Sequence, residues 1–484
     1  MSENTKKLTI NGLFWNAVDR FGNQAVVTIV GIITARLLVP EDFGVIAVLL
    51  IFSTIATSFV DSGLATSLVR TKVVNELDYS TMFVFNLTIS CSLYFILFFA
   101  APYIERYNEI KGLTLYARIL FLQIIVHSFG IVQYVKILKN FQFNLTAKIN
   151  FLSVFLSGLI AVLIAWLGFG VWALLLQPVL YSTFRTIMLW LWGDWKLNLR
   201  YRSASLRNHA SFSLSFMFSN MIGKVLSPFY YSFIKTHFTL VETGYYYQGN
   251  KWGETPNLLL SSIIQGTTLS TLTPIQDDLP RFLNACRKTM STLAFVLFPV
   301  SFLAICVAKP GFVFALTDTW LPSVVFFQLL CFAGLFTSLT DMNVNFLNIK
   351  GRSKFSLTLE IIKVSLAMVL LFFTYKHGIL AIIYGLIAVR IICYIISTIM
   401  SGKVYGYRFF TQIKDILPSF LISAFAAGIA YLPLYFNLTS HYLILIVVQT
   451  IIFAIIYIGI NHILGNDIWT ELLGLLKKKI SKKA

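Results

Sequence analysis

Long apolar segments separated by short polar connections run through the whole chain. Fourteen candidate segments can be placed, at about 12–37, 43–65, 80–103, 113–138, 147–167, 169–192, 209–235, 248–272, 286–308, 321–348, 355–375, 377–401, 415–434 and 441–464. Each segment has about the 20 residues that an α-helix needs to cross the hydrocarbon core of a bilayer. The pattern predicts an all-α polytopic membrane protein with about fourteen transmembrane helices.

The composition agrees with this class. Hydrophobic residues make up 57% of the 484 residues, charged residues only 12%, and the mean hydropathy is +0.78. Such a chain is too apolar for a soluble protein. The five cysteines form no CxxC pair, and we expect them to be reduced packing residues.

Positive charge alternates between successive connections. Of the 38 Lys and Arg residues, 25 lie in the two termini and in every second connection, and only five lie in the opposite connections. The positive-inside rule therefore predicts that both termini are cytoplasmic. The net charge of +18 is spread over short pieces without interleaved aromatic residues, which favours topology and attraction to anionic membrane lipids over nucleic-acid binding.

The chain contains an internal repeat of about 200 residues. At this offset Asp42 and Gly44 lie over Glu242 and Gly244. Both segments that precede these residues run outward from the cytoplasm, which predicts parallel repeats related by an axis along the membrane normal. We predict a six-helix lobe at 1–200, a second six-helix lobe at 201–402, and an appended helix pair with a basic tail at 403–484.

Polar faces mark four of the fourteen segments. In the first segment one face carries Asn16, Arg20, Asn23 and Gln24, and in the seventh it carries Asn220, Lys224, Ser227 and Tyr231. The second segment contributes Thr54, Ser58 and Asp61, and the eighth contributes Lys251 and Glu254, which can pair at i, i+3. The faces predict a hydrophilic cavity. A packed bundle with Ser and Thr hydrogen bonds is the alternative, and it does not account for the lysines and the arginine.

Charges within the segments indicate the cargo. Lys224 lies about 22 Å into its segment, too deep to reach either surface easily, whereas Lys363, Arg118 and Arg185 are predicted to snorkel. The cavity is more cationic than anionic, with Arg20, Lys224, Lys251 and Arg390 against Asp61 and Glu254. An anionic cargo follows, and phosphate is the natural partner of Arg and Lys. Pro228 and Pro256 are predicted bending points, and with Asp61 and Glu254 form the candidate coupling or gating set.

No motif for hydrolysis or group transfer occurs in the chain. A P-loop, GxSxG and HExxH are all absent, and the six histidines form no ligand-spaced cluster. The sequence therefore predicts no enzyme activity, no cofactor and no metal site.

Three stretches carry a family resemblance. They are ARLLVPEDFG at 35–44, GVWALLLQ at 170–177, and DTWLP at 318–322 after an outer amphipathic piece. In this order they resemble the Wzx-type polysaccharide flippases of the multidrug/oligosaccharidyl-lipid/polysaccharide exporter superfamily, nearest to the branch of colanic acid and teichuronic acid exporters. The chain departs from that pattern at Thr317-Asp318, where a glycine is common in the family.

The resemblance implies a bacterial inner-membrane protein that moves an undecaprenyl-diphosphate-linked oligosaccharide to the outer leaflet by alternating access, for O-antigen or exopolysaccharide synthesis. It also implies that Arg20 holds the diphosphate. A polysaccharide polymerase of the same pathway is a candidate partner, and H⁺ or Na⁺ is a candidate coupling ion.

Two other functions compete with this hypothesis. A cation-coupled exporter of amphipathic drugs shares the superfamily fold but favours carboxylates in its cavity. A membrane glycosyltransferase or polymerase would need a larger outer loop than any connection here provides.

Overall fold

The computed structural model describes residues 3–61, 68, 71, 74–352, 354–471, 473 and 474, with side chains except those of 3–14, 16, 17, 205, 207–220, 258–267, 269 and 270. These residues form α-helices and short 3₁₀ turns. The helices are α1 (Glu3–Leu37), α2 (Pro40–Val60), α3 (Glu76–Asn108), α4 (Leu113–Lys139), α5 (Phe143–Trp166), α6 (Trp172–Trp192), α7 (Ser203–His237), α8 (Leu240–Leu272), α9 (Leu279–Cys306), α10 (Ala308–Ala315), α11 (Leu321–Ile349), α12 (Lys354–Thr374), α13 (Ile379–Tyr405), α14 (Phe409–Tyr435) and α15 (Tyr442–Ile463).

Each of the fourteen predicted apolar segments overlaps one long helix, and the short α10 is the amphipathic piece expected before Asp318. Among the described residues, eleven helices are long and apolar enough to cross a membrane. The long helices outside this group are α1, α7 and α8, which carry most of the predicted polar faces. The all-α polytopic class is confirmed, and the number of fourteen crossings stays a prediction.

The helices group into two compact units, residues 1–244 and residues 245–484. The predicted lobe limits at 200 and 402 describe the repeat in the sequence, and they stay a prediction. In the first unit α1 packs on α5, α5 on α6, α6 on α4 and α4 on α3, while α2 packs on α7. In the second unit α11 packs on α13, α13 on α12, and the C-terminal α14 on both α9 and α15.

The residues that mark the repeat start the same helix in each copy. Asp42 accepts a hydrogen bond from the backbone N–H of Val39 at 3.3 Å, and Glu242 accepts one from that of Thr239 at 3.0 Å. Each carboxylate thus satisfies a backbone N–H at a helix start and complements the positive end of the helix dipole. The recurring acidic residue is therefore a helix cap.

The recurring glycines permit a close backbone approach at the same place. A Cβ at Gly44 would overlap the carbonyl oxygen of Leu240, and a Cβ at Gly244 would overlap that of Pro40. Because both obstacles are backbone atoms, neither can be removed by a side-chain rotation. The repeat marks a reciprocal contact between chain segments that are 200 residues apart.

Gly44→Ala is therefore expected to lower the temperature of unfolding, because relieving an overlap with backbone costs about 1–3 kcal/mol. Gly428→Ala is the matched control, since that glycine also lies in a long helix and a Cβ there meets nothing within 4 Å. Removing a helical glycine stabilises by up to about 1 kcal/mol, so the control should unfold at the same temperature or above it. Thermal unfolding in detergent measures both variants, and equal midpoints would show that the helix ends have room to separate.

Thr317 occupies the position where the resemblance predicts glycine. Its φ of 119° lies in the region that favours glycine, and it immediately precedes the 3₁₀ turn Asp318–Trp320. The turn geometry is thus the one that a glycine adopts at the lowest cost, and this chain forms it with a β-branched residue.

An ion pair attaches the C-terminal helix pair to the second unit. Arg287 on α9 donates from Nε and Nη2 to the carboxylate of Asp415 on α14, at 2.9 and 2.8 Å. The hydroxyl of Tyr407 donates to the same carboxylate at 2.9 Å. Burial and the neighbouring Asp415 raise the pKa of Tyr407 well above its usual value, so this hydroxyl stays protonated.

A buried network of polar side chains joins three helices of the second unit. Asn343 on α11 donates to Gln412 on α14 at 3.1 Å and to Ser397 on α13 at 3.2 Å, and it accepts from Gln412 at 3.1 Å. All three side chains are fully buried. Such groups fix one relative rotation of the three helices, because any other rotation would leave a buried polar atom without a partner.

Candidate functional site

Polar side chains from three helices converge on Asp19 in the first unit. Its carboxylate accepts a hydrogen bond from Asn23 on the same helix at 2.6 Å, and two from Asn150 on α5 at 3.1 and 3.3 Å. Arg20 and Arg185 lie within electrostatic range of the same carboxylate. Asn23, predicted to bind cargo, is thus engaged through its amide nitrogen, while its buried Oδ1 has no hydrogen-bond partner among the described residues.

A second carboxylate of this unit is bound by a histidine. Asp61 follows the last residue of α2, and its Oδ1 lies 2.7 Å from Nε2 of His127 on α4. Lys224 on α7 and Arg185 lie within electrostatic range of Asp61. The pair joins α2 to α4 and leaves half of the Asp61 side chain exposed.

The two basic residues proposed for the first unit, Arg20 and Lys224, are exposed and form no ion pair with the described residues. Arg20 is the central residue of α1, and Lys224 lies about 20 Å before the end of α7. Among the described side chains, neither makes a hydrogen bond or an ion pair. Gln24 is half-buried one turn beyond Arg20. The side chains of Asn16 and Asn220, which the polar faces also included, lie outside the described residues.

Arg185 is held by side chains of two other helices. Its Nε donates to Asn150 Oδ1 at 3.1 Å, and its guanidinium carbon lies 4.5 Å from the centre of the Tyr134 ring. These contacts hold the side chain against α4 and α5, and its snorkelling stays a prediction. The residues that hold it are on other helices, which the spacing along α6 alone cannot reveal.

In the second unit Glu254 pairs with Arg390. Oε1 of Glu254 on α8 lies 3.0 Å from Nη2 of Arg390 on α13, with 29% and 12% of the two side chains exposed. The expected i, i+3 pair of Glu254 with Lys251 is wrong. Arg390 lies 136 residues from Glu254 along the chain, so the spacing within α8 could not show that Glu254 takes this partner.

Lys251 is left without a carboxylate among the described residues. Its ammonium lies 5.5 Å from the centre of the neighbouring Trp252 ring, and the side chain is half-buried. A lysine in this position is a candidate for an anionic ligand, because its charge has no opposite charge beside it.

A further acidic residue of this unit escaped the sequence analysis. Asp341 on α11 lies within electrostatic range of Lys363, Glu360 and Arg390. Lys363 pairs with Glu360 at 2.6 Å at i, i+3 and is three-quarters buried, and its snorkelling stays a prediction. Asp341 was visible in the sequence as an acid within an apolar segment, which is the signal that could have found it.

The two predicted bending points lie inside helices. Pro228 is buried in α7 and Pro256 half-buried in α8. Because proline has no N–H, the carbonyl of the residue four positions earlier loses its helical donor. For Pro228 that residue is Lys224, so the helix is weakened at the proposed binding lysine.

The profile of a family described as "Polysaccharide biosynthesis protein" matches residues 33–325, which is more than half of the chain. The chain belongs to this family.

Two named relatives and two solved structures agree with the family. The chain is 25% identical to the succinoglycan biosynthesis transport protein ExoT of Rhizobium meliloti over 66% of its length, and spans 64% of that relative. It is 22% identical to the lipopolysaccharide biosynthesis protein WzxC of Escherichia coli, covering 86% of this chain and 82% of WzxC. Its fold matches the lipid II flippase MurJ with a TM-score of 0.73 at 14% identity, over 93% of this chain and 99% of MurJ.

The second structure is an inward-facing multidrug resistance MATE family transporter of the MOP superfamily. It matches with a TM-score of 0.60 at 14% identity, over 81% of this chain and 95% of that transporter. The family and the named relatives confirm the resemblance to the polysaccharide flippases, and the two solved structures show the shared fold. The chain is a multi-pass membrane protein, and ExoT, MurJ and the MATE protein are all named as transport proteins or flippases.

Proposed function

We propose that the protein is a flippase that moves an undecaprenyl-diphosphate-linked oligosaccharide from the cytoplasmic to the outer leaflet of a bacterial inner membrane, with both termini in the cytoplasm. The observation that carries the proposal is that Arg20 and Lys224 lie deep within their helices without an ion-pair partner among the described residues. A cation within the membrane raises the free energy of the folded protein unless an anion or water contacts it. A diphosphate would supply the anion, and a lipid-linked diphosphate is the cargo that the resemblance to the polysaccharide flippases implies.

The candidate residues take different parts in this proposal. Arg20 and Lys224 bind the diphosphate with Lys251 as a further basic contact, while Asn23 and Gln24 offer hydrogen bonds to cargo. Arg390 and Glu254 already neutralise each other, so we assign this pair, together with Asp61, to coupling or gating. H⁺ or Na⁺ is the candidate coupling ion and a polymerase of the pathway is the candidate partner.

Reconstituted transport tests the proposal. Proteoliposomes that contain the purified protein should move a lipid-linked oligosaccharide across the bilayer, which enzymatic modification of the sugar from outside detects. A strain without the gene should accumulate this lipid on the cytoplasmic face and lose a surface polysaccharide. If the proteoliposomes export cationic amphipathic dyes and leave the lipid in place, the drug-exporter alternative is the correct function.

Pro228→Ala should slow transport several-fold while leaving protein abundance near the wild-type level. Alanine restores the N–H that the carbonyl of Lys224 lacks, so the bend in α7 becomes more costly. Pro418→Ala, in the interior of α14, is the matched control and should leave the transport rate unchanged. Transport per folded molecule is the quantity to compare, and a rate that falls only in step with abundance would assign Pro228 to folding.

A further inference from the structure

The guanidinium of Arg185 is held in place by two helices other than its own. Asn150 on α5 accepts its Nε–H at 3.1 Å, and the Tyr134 ring on α4 lies 4.5 Å from its central carbon. A guanidinium is planar, so one hydrogen bond and one ring contact fix both its position and its orientation. Little side-chain entropy then remains to be lost when a ligand binds.

The two Nη atoms of the Arg185 guanidinium remain available to a ligand. Within the described part of the chain, neither Nη atom of Arg185 donates a hydrogen bond. The arginines that form ion pairs differ, since Arg287 donates from Nε and Nη2 to Asp415, and Arg390 donates from Nη2 to Glu254. Arg185 therefore presents free donors in the geometry that binds an oxyanion through two parallel hydrogen bonds.

The nearby carboxylates do not compete for these donors. Asp19 accepts from Asn23 and Asn150, and Asp61 is bound by His127 at 2.7 Å. Two further cations lie within electrostatic range of these carboxylates, namely Arg20 beside Asp19 and Lys224 beside Asp61. Three cations thus stand against two carboxylates among the described residues of this cluster, and the field at Arg185 favours an anion.

The internal repeat supports a ligand-binding role for Arg185. Arg390 follows Arg185 by 205 residues, and both lie on the sixth long helix of their repeat. In the second unit Glu254 forms an ion pair with the arginine, whereas no carboxylate among the described residues of the first unit lies within ion-pair distance of Arg185. The repeat-related arginines therefore differ in function, and the free one lies in the first unit.

We propose that Arg185 is a phosphate-binding residue of the first unit and that Tyr134 and Asn150 are the residues that position its guanidinium. The inference rests on the proposed function and names the group of the cargo that this arginine binds. Arg20 and Lys224 add charge around the phosphates, and Arg185 supplies the bidentate contact.

Titration calorimetry with farnesyl diphosphate on the detergent-purified protein tests the proposal, with farnesol as the probe that lacks phosphate. Arg185→Gln should weaken farnesyl diphosphate binding roughly 10- to 100-fold, the loss expected when hydrogen bonds to a charged group disappear. Arg118→Gln is the matched control and should bind within about twofold of wild type. Arg118 also donates Nε to a carbonyl, that of Phe98 at 3.3 Å, and also stacks on a ring at 3.9 Å, but it lies near the outer end of α4.

Substitutions of Tyr134 distinguish whether its ring positions the Arg185 guanidinium or only packs in the helix bundle. Tyr134→Phe keeps the ring and should keep the affinity, whereas Tyr134→Leu should lower the affinity at an unchanged unfolding temperature. If Arg185→Gln does not fold, Arg185→Lys carries the test, because it keeps the charge and loses the paired donors, and it should bind roughly tenfold more weakly.

Two results would count against different conclusions. Equal affinity of folded Arg185→Gln and wild type, or a wild type that flips cargo and binds no farnesyl diphosphate, overturns the role of Arg185. A wild type that binds farnesyl diphosphate through Arg185 and moves no lipid-linked oligosaccharide in proteoliposomes overturns the proposed function instead.

Discussion

Lys224→Ala and Arg20→Ala should each abolish or cripple polysaccharide export while the protein stays in the membrane at normal abundance. Each cation is expected to contribute about 1.5–3 kcal/mol through hydrogen bonds to the diphosphate, so losing one should weaken cargo capture by roughly 10- to 100-fold. Lys224→Arg should retain part of the activity, because it preserves the charge with a different shape.

Lys235→Ala is the control for this pair, since Lys235 lies in the last turn of the same helix, nearer the predicted outer surface. Export should be unchanged in this variant. Surface polysaccharide per cell, divided by the amount of membrane-inserted protein, is the measurement. Normal export by Lys224→Ala at wild-type abundance would make Lys224 a packing residue and remove it from the binding site.

Arg287→Ala should destabilise the second unit by about 3 kcal/mol, because it leaves the carboxylate of Asp415 buried without its cation. Asp415 is only 10% exposed, and Tyr407 alone cannot balance its charge. Lys288→Ala, at the next position, is the matched control. Its partner Glu471 and Lys288 itself are both more than half exposed, so this variant should lose at most about 1 kcal/mol.

The buried cysteines provide the measurement for this comparison. Cys286, Cys306, Cys331 and Cys393 are free and buried, so a maleimide dye reacts with them only as the protein unfolds on heating. The midpoint of labelling should fall clearly in Arg287→Ala and little in Lys288→Ala. If both variants shift equally, Asp415 is solvated more than its exposure indicates. A double-mutant cycle with Asp415→Asn then isolates the energy of the pair.

The helices could be predicted almost completely from the sequence, because a membrane-spanning segment is a local property of about twenty residues. The starts of α1, α7, α8, α9 and α14 lie six to nine residues earlier than predicted, because the helix continues beyond the apolar stretch. The other helix ends lie within about five residues of the predicted segments. The repeat was also visible, since its acidic residue and glycine meet local requirements at a helix start.

The partners of the charged residues could not be predicted. Arg185, Glu254 and Lys363 all have contacts that depend on which helices are neighbours, and spacing along one helix gives no information on that. Depth in its segment identified Lys224, and the polar face of the first segment identified Arg20. The contact of Arg185 with Asn150 on α5 could not be foreseen from the position of Arg185 along α6. His127 and Asp341 are also polar residues in apolar segments, but they were not among the predicted site residues.

The network of Asn343, Gln412 and Ser397 has a consequence for biogenesis. Helices enter the membrane in chain order, so α11 and α13 arrive before α14, and until then the amide of Asn343 has its bonds to Ser397 and Ser401 but lacks the two that Gln412 provides. Each hydrogen bond of a buried amide that stays unmade in hydrocarbon lowers the stability of the packed helices. The second unit therefore reaches a stable packing only after α14 is inserted, and a chain that stops before residue 409 should remain a substrate for membrane quality-control proteases.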